Sequence, residues 1–63
     1  NNYIMNKFIQ FKDIGGTNHL INTSHIVEVS QFGDNETNIV LSNGTIIYTK
    51  VSLINVEKRI ENL

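Results

Sequence analysis

The sequence predicts an α+β domain: a small antiparallel sheet of four or five strands, with one C-terminal helix over residues 52–62 packed on one face. Three observations predict it. Asn43-Gly44 stands between two β-branched runs, the mark of a tight hairpin over residues 37–50. After Ser52, apolar residues recur at helical spacing: Leu53, Val56, Ile60 and Leu63. The chain has no proline and is instead punctuated by glycine, asparagine and aspartate between apolar runs. Its 63 residues suffice for one domain. Residues 5–63 are read as that domain, with Met5 as initiator and residues 1–4 as an upstream extension.

Each element follows from local pattern. Residues 7–12 alternate weakly and predict a first strand with Ile9 and Phe11 inward. Residues 13–18 carry Gly15-Gly16 and predict a turn. Residues 19–22 form a short second strand, and Thr23-Ser24 a break. Residues 25–32 form a third strand, with Val27 and Val29 on one face and Ile26, Glu28 and Ser30 on the other. Residues 33–36 make a polar loop.

In the hairpin, a two-residue Asn43-Gly44 loop of type I′ sets the expected register. Leu41 then opposes Ile46, Val40 opposes Ile47, and Ile39 opposes Tyr48. One face carries Ile39, Leu41, Ile46 and Tyr48. The other carries Asn38, Val40, Ser42, Thr45, Ile47 and Thr49. Ser52 is a good helix N-cap, and Val51 with Val56 can form a hydrophobic staple. A helix of roughly eleven residues is too short to persist alone in water, so it must dock. The Ile39/Leu41/Ile46/Tyr48 face is its expected seat, with Phe11 and Tyr48 in the core.

That arrangement predicts self-association. One helix covers one sheet face, leaving Val40 and Ile47 on the other as a cross-strand pair. Ile26, Phe8 and Phe32 are candidates to extend this interface. Small domains usually need a staple, and with no cysteine the disulfide is excluded. A homodimer or larger ring would cover the spare face.

Composition narrows the function classes. Five Lys+Arg balance six Asp+Glu, and Lys58-Arg59 is the one basic pair. A dedicated nucleic-acid binder carries a clustered positive footprint, so the charge argues against DNA or RNA and against an anionic membrane surface. No apolar run reaches the roughly 18 residues of a membrane span, and no signal peptide is visible at the start. Cytoplasm is the expected location.

The chemistry-bearing residues are few. His19 and His25, with Asp13 and Glu28, do not match a short metal-ligand motif, and no cofactor is implied. Ser24 and His25 are neighbours that point to opposite strand faces, which disfavours a nucleophile–base pair. Gly15, Gly16, Thr17 and Asn18 could form an anion nest. A strand rather than a helix follows them, so the turn reading is favoured over a phosphate loop. Phe8, Phe11, Phe32 and Tyr48 could stack bases, but such platforms need a basic groove. Lys58 and Arg59 are candidate phosphate contacts. No acid–base pair is legible, and an enzyme is the least expected class.

Two family resemblances rest on specific segments. The run Ile21-Asn22-Thr23-Ser24-His25-Ile26-Val27-Glu28-Val29 is followed by Asn38-Ile39-Val40-Leu41-Ser42-Asn43-Gly44 and then by the helix from Val51 to Ile60. This order resembles the FlbD-like small flagellar proteins over about two-thirds of the chain. The resemblance implies a small cytoplasmic non-enzyme acting through protein contacts. Here Asp34-Asn35-Glu36-Thr37 lacks the proline that often precedes the family's hairpin, and Lys50-Val51-Ser52 replaces an acidic residue often found before the helix. Residues 21–63 also look like the C-terminal half of a LytTR DNA-binding domain, with Ser52-Leu53-Ile54-Asn55-Val56-Glu57 matching its helix start. That resemblance implies DNA contacts and would require Lys12, Lys50, Lys58 and Arg59 to converge. The first expectation is therefore a homo-oligomeric, non-catalytic interaction module. A LytTR-like nucleic-acid binder and a phage- or mobile-element-type protein that sequesters a small molecule are the alternatives.

Overall fold

The computed structural model describes residues 7–63. The assignments of Met5 and residues 1–4 lie outside the described residues. Five strands precede one helix: β1 (Phe8–Lys12), β2 (Asn18–Asn22), β3 (Ile26–Gly33), β4 (Glu36–Leu41), β5 (Ile46–Thr49) and α1 (Leu53–Glu61). A single 3-10 turn, Thr23–His25, joins β2 to β3. The architecture is α+β, with two small antiparallel sheets and the helix packed on them. β1 and β2 form a hairpin, and β3-β4-β5 form a meander. A bridge between Asp13 and Thr49 links the two sheets, and the Ile14 N–H donates to the Tyr48 carbonyl at 2.9 Å.

β1 follows its alternation, with Ile9 and Phe11 buried and Phe8, Gln10 and Lys12 outside. β3 does not. A bulge between Ile26 and Glu28 interrupts the ladder, and an extra residue in one strand resets which side follows. Ile26 and Val29 therefore both pack against the core, while Val27 stands in solvent. The expected pairing of Val27 with Val29 on one face is corrected accordingly. The loop at residues 33–36 is a tight turn, with Gly33 paired to Glu36 and Asn35 at φ 56°. Asparagine tolerates that left-handed conformation better than most side chains.

The largest correction concerns the β4–β5 hairpin. Val40 pairs with Ile46, Ile39 with Ile47, Asn38 with Tyr48, and Thr37 with Thr49. The register is one residue away from that of a two-residue loop. The cause is at the tip. The Leu41 N–H donates to the Thr45 carbonyl at 2.8 Å, and the Gly44 N–H donates to the Leu41 carbonyl at 2.9 Å. The loop is thus residues 42–44, with Gly44 at φ +88°, the three-residue hairpin whose last position is left-handed. A slip of one residue sends every β5 side chain to the opposite face. Ile47 and Thr49 point inward, and Ile46 and Tyr48 point outward.

The core is Ile9, Phe11, Ile21, Ile39, Ile47 and Val56, with Ile26, Val29, Leu41, Val51 and Ile60 packed around it. Full burial of such a side chain is worth roughly 1.5–3 kcal/mol. Helix α1 lies against β3 and β4 and inserts the fully buried Val56. It therefore docks on the side of Ile39 and Ile47, not on a face bearing Ile46 and Tyr48. Ser52 caps it as expected, its side chain accepting from the Asn55 N–H at 3.3 Å.

Two threonines opposite each other are wholly buried and act as ties. Thr37 Oγ1 donates to the Val51 carbonyl at 2.7 Å, fixing β4 to the helix approach. Thr49 Oγ1 donates to the Lys12 carbonyl at 3.0 Å and accepts from the Val51 N–H at 3.3 Å. Arg59 completes the closure. Its Nη2 donates to the Gln10 carbonyl at 2.7 Å, and its guanidinium lies 4.4 Å from the Phe11 ring centroid.

Candidate functional site

The outer face of the β3-β4-β5 sheet is the most distinctive surface. Across the strands run two rows of side chains, Glu28–Val40–Ile46 and Ser30–Asn38–Tyr48. Phe32 lies beside the second row and meets the Tyr48 ring edge-on, with centroids 5.8 Å apart and planes at 88°. Edge-to-face is a preferred aromatic geometry. It holds both rings in place while leaving them 44% and 42% exposed. Ile46 is 42% exposed, and Ile14 from the β1–β2 turn is 51% exposed. Val40 is half-buried between Glu28 and Ile46. Glu28 is the charged residue of these two rows.

One polar group on this face lacks a partner. The Asn38 side-chain oxygen is buried and has no hydrogen-bond partner among the described residues. A buried acceptor left unsatisfied costs about 1–3 kcal/mol. The inner face shows no such defect, since both its threonine hydroxyls are bonded.

The expected interface residues are thus divided by the structure. Val40 and Phe32 belong to the outer face. Ile47 does not: it is 4% exposed and part of the core, because the three-residue loop turned β5 over. Ile26 is also drawn inward, by the β3 bulge. Phe8 is exposed, but it belongs to the β1–β2 hairpin rather than to the sheet that carries Phe32. Tyr48, expected in the core, replaces Ile47 on the outer face, and Ile46 accompanies it. The doublet Ile46-Ile47 hid the exchange, because either register buries an isoleucine.

The glycine turn is occupied by its own chain. Asp13 Oδ1 accepts from the backbone N–H groups of Gly15 and Thr17, both at 2.9 Å. Its Oδ2 lies 2.7 Å from His19 Nε2. The His19 hydrogen bond, followed by the Thr17 and Gly15 N–H groups, holds the Asp13 carboxyl below its ordinary value of 3.8, against a smaller opposing effect of burial. The nest expected for an external anion at Gly15, Gly16, Thr17 and Asn18 is therefore filled by the Asp13 carboxylate. An Asp placed two residues before Gly15 was the signal for this turn.

Histidine chemistry is limited to pairs. His25 Nδ1 lies 3.0 Å from Ser42 Oγ rather than from Ser24, whose hydroxyl donates to Asn22 Oδ1 at 2.8 Å. No carboxylate contacts His25 among the described residues, so the third orienting member of a nucleophile–base set is lacking there. Nor do any three His, Cys, Asp or Glu side chains among the described residues come together to hold a metal ion. Among the described residues, no helix is long and apolar enough to cross a membrane.

The cations divide as well. Lys58 and Arg59 are neighbours in sequence, but Arg59 turns toward β1 and lines a depression with Lys12 and Lys50, whereas Lys58 does not. No family model, curated protein or solved structure matches this chain.

Proposed function

We propose that this protein is a non-catalytic interaction module that pairs with a second copy of itself through the outer face of β3-β4-β5. The observation that carries the reading is the Phe32/Tyr48/Ile46/Val40 surface. Contiguous apolar surface of this kind marks interaction sites when it is rimmed by polar groups. Aromatic residues are enriched, and charge depleted, at the centre of interfaces.

A second copy suits this surface for two reasons. An isologous contact needs one patch complementary to itself, and the two rows combine small polar side chains with branched apolar ones around one aromatic pair. Self-pairing also covers the edge-to-face Phe32 and Tyr48 rings, which are 44% and 42% exposed in a single copy. The small size of the domain adds to the case, because its single core is marginal without a further staple. The FlbD-like resemblance agrees with action through protein contacts.

Sedimentation velocity over a concentration series tests the proposal. The expected result is a dimer that dissociates on dilution. Ile46→Lys and Tyr48→Glu should each give a monomer with an unchanged far-UV circular dichroism spectrum. A wild-type chain that stays monomeric at its solubility limit, or a folded Ile46→Lys variant that keeps the wild-type mass, would overturn it.

A further inference from the structure

Three of the five cationic side chains line one depression of about 550 Å³. They are Lys12 from the end of β1, Lys50 from the β5–α1 junction and Arg59 from the last turns of α1. They reach it from sequence positions far apart, brought together by the Asp13–Thr49 bridge and by the contacts of Arg59 with Gln10 and Phe11 of β1. None of the three forms an ion pair among the described residues, although acids outnumber bases in the chain.

The single acid lining the depression is already committed. Asp13 shares its carboxylate among the Gly15 N–H, the Thr17 N–H and His19. It therefore does not neutralise the three cations. Of the other acids, Glu36 flanks the Thr37–Thr49 pair on the side of Lys50, but it forms no ion pair among the described residues and does not line the depression; Asp34 sits at the β3–β4 turn, Glu28 lies on β3, and Glu57 and Glu61 line a different depression on α1. Uncompensated like charges held in one concavity raise the local potential for an anion.

Arg59 is also preorganised. Its stacking on Phe11 and its bond to the Gln10 carbonyl fix the guanidinium plane. Of its five N–H donors, one goes to that carbonyl, and others remain for a ligand. A fixed, planar fork matches the geometry of phosphate oxygens. Gln10 and Asn18 add neutral amides to the lining.

We infer that this depression binds the phosphate groups of a small phosphorylated molecule, with Arg59 as the fixed contact and Lys12 and Lys50 as the mobile ones. The number of cations decides between a small ligand and a nucleic acid. Duplex binding of ordinary strength engages about 6–10 phosphates. Lys7 and Lys58 do not line the depression, and no basic stripe leads away from it. Three convergent charges suit a diphosphate, and the volume falls within the roughly 300–1,000 Å³ of small-molecule sites.

Calorimetric titration with inorganic pyrophosphate and with ADP, at fixed ionic strength and with sulfate as reference, tests this. Both phosphate ligands should bind saturably and sulfate more weakly. Tighter binding of ADP would assign the source to a nucleotide, and equal binding to the phosphates alone. The double variant Lys12→Gln/Lys50→Gln should lose roughly tenfold or more in affinity, the scale of a lost charge-assisted hydrogen bond. Both lysines are exposed, so the fold should survive, which thermal unfolding without ligand checks. Absence of saturable binding by either phosphate ligand would overturn the inference. So would affinity unchanged in the folded double variant, or binding confined to a single-stranded oligonucleotide.

Discussion

The two faces of the three-stranded sheet are built from nearly the same residue types, yet they do different work. Inside, Ile39 and Ile47 pair across β4 and β5, and beside them Thr37 and Thr49 pair with both hydroxyls bonded. Outside, Val40 pairs with Ile46, and beside them Asn38 pairs with Tyr48, with an acceptor oxygen left without a donor. Each face thus has one apolar pair and one polar-bearing pair. What separates them is satisfaction. The inner polar groups find partners within the chain, in the Lys12 and Val51 carbonyls, and the outer one does not.

The sharpest way to break this comparison is to put the same charge on each face in turn. Ile47→Lys buries an ammonium in the core, and such an uncompensated charge costs several kcal/mol. A 63-residue domain has a total stability of only about 3–9 kcal/mol at typical values per residue. The variant should therefore be unfolded by circular dichroism. Ile46→Lys, one position away, should change monomer stability by only about 0.5 kcal/mol, read from urea unfolding under conditions where the chain is monomeric. Equal effects at the two positions would mean that the register is wrong.

The polar pairs sharpen the contrast with a smaller effect. Thr49→Val removes the donor to the Lys12 carbonyl and the acceptor for the Val51 N–H, and should cost about 1–3 kcal/mol. Asn38→Val removes a group that was already unsatisfied and should be neutral or stabilising in the monomer. Urea titrations of the two variants, run beside sedimentation measurements, check both statements.

The reasons why some of this was legible in sequence, and some not, are physical. β1 could be read because apolar Ile9 and Phe11 alternate with polar Gln10 and Lys12, so only one phase buries a core. The helix could be read because its cap and its stripe are independent signals that agree. β5 could not be phased. Ile46-Ile47-Tyr48-Thr49 offers one isoleucine to either face, so the hydrophobic pattern carries no register information. The burden then falls on the loop, and Asn-Gly serves both a two-residue turn and the end of a three-residue one. In β3 the bulge at Val27 leaves no sequence mark, since Ile26, Val27 and Val29 are all apolar. The convergence of Lys12, Lys50 and Arg59 depends on the long-range contacts of Arg59 with β1 and of Asp13 with Thr49, which no local pattern encodes.

The loop itself supplies the next test. Gly44 has φ +88°, and an added Cβ would meet nothing within 4 Å. Gly44→Ala therefore isolates backbone strain, which costs about 1–2 kcal/mol for a left-handed residue. Amide hydrogen exchange should show the β4–β5 ladder opening more readily in this variant, while β1–β2 is less affected. Asn43→Ala removes the side-chain acceptor of the Thr45 N–H, at 3.0 Å, and should act in the same direction with a smaller effect.

The smallest expected effect lies where the β1–β2 turn touches β5. Asp13 bridges Thr49 through its backbone, while its carboxylate organises the turn that presents Ile14 to Tyr48. Its pKa is depressed in the folded chain, chiefly by the His19 hydrogen bond. A depressed carboxylate adds stability that is fully present above its unfolded value, near 3.8, and is lost as pH falls through the lower folded value. Urea midpoints measured from pH 5 downward should fall less steeply for Asp13→Asn than for wild type. The asparagine oxygen can still accept from the Gly15 and Thr17 N–H groups, so the turn should persist and only the charge-dependent part disappear. Equal slopes would mean that the His19 contact does not hold in solution.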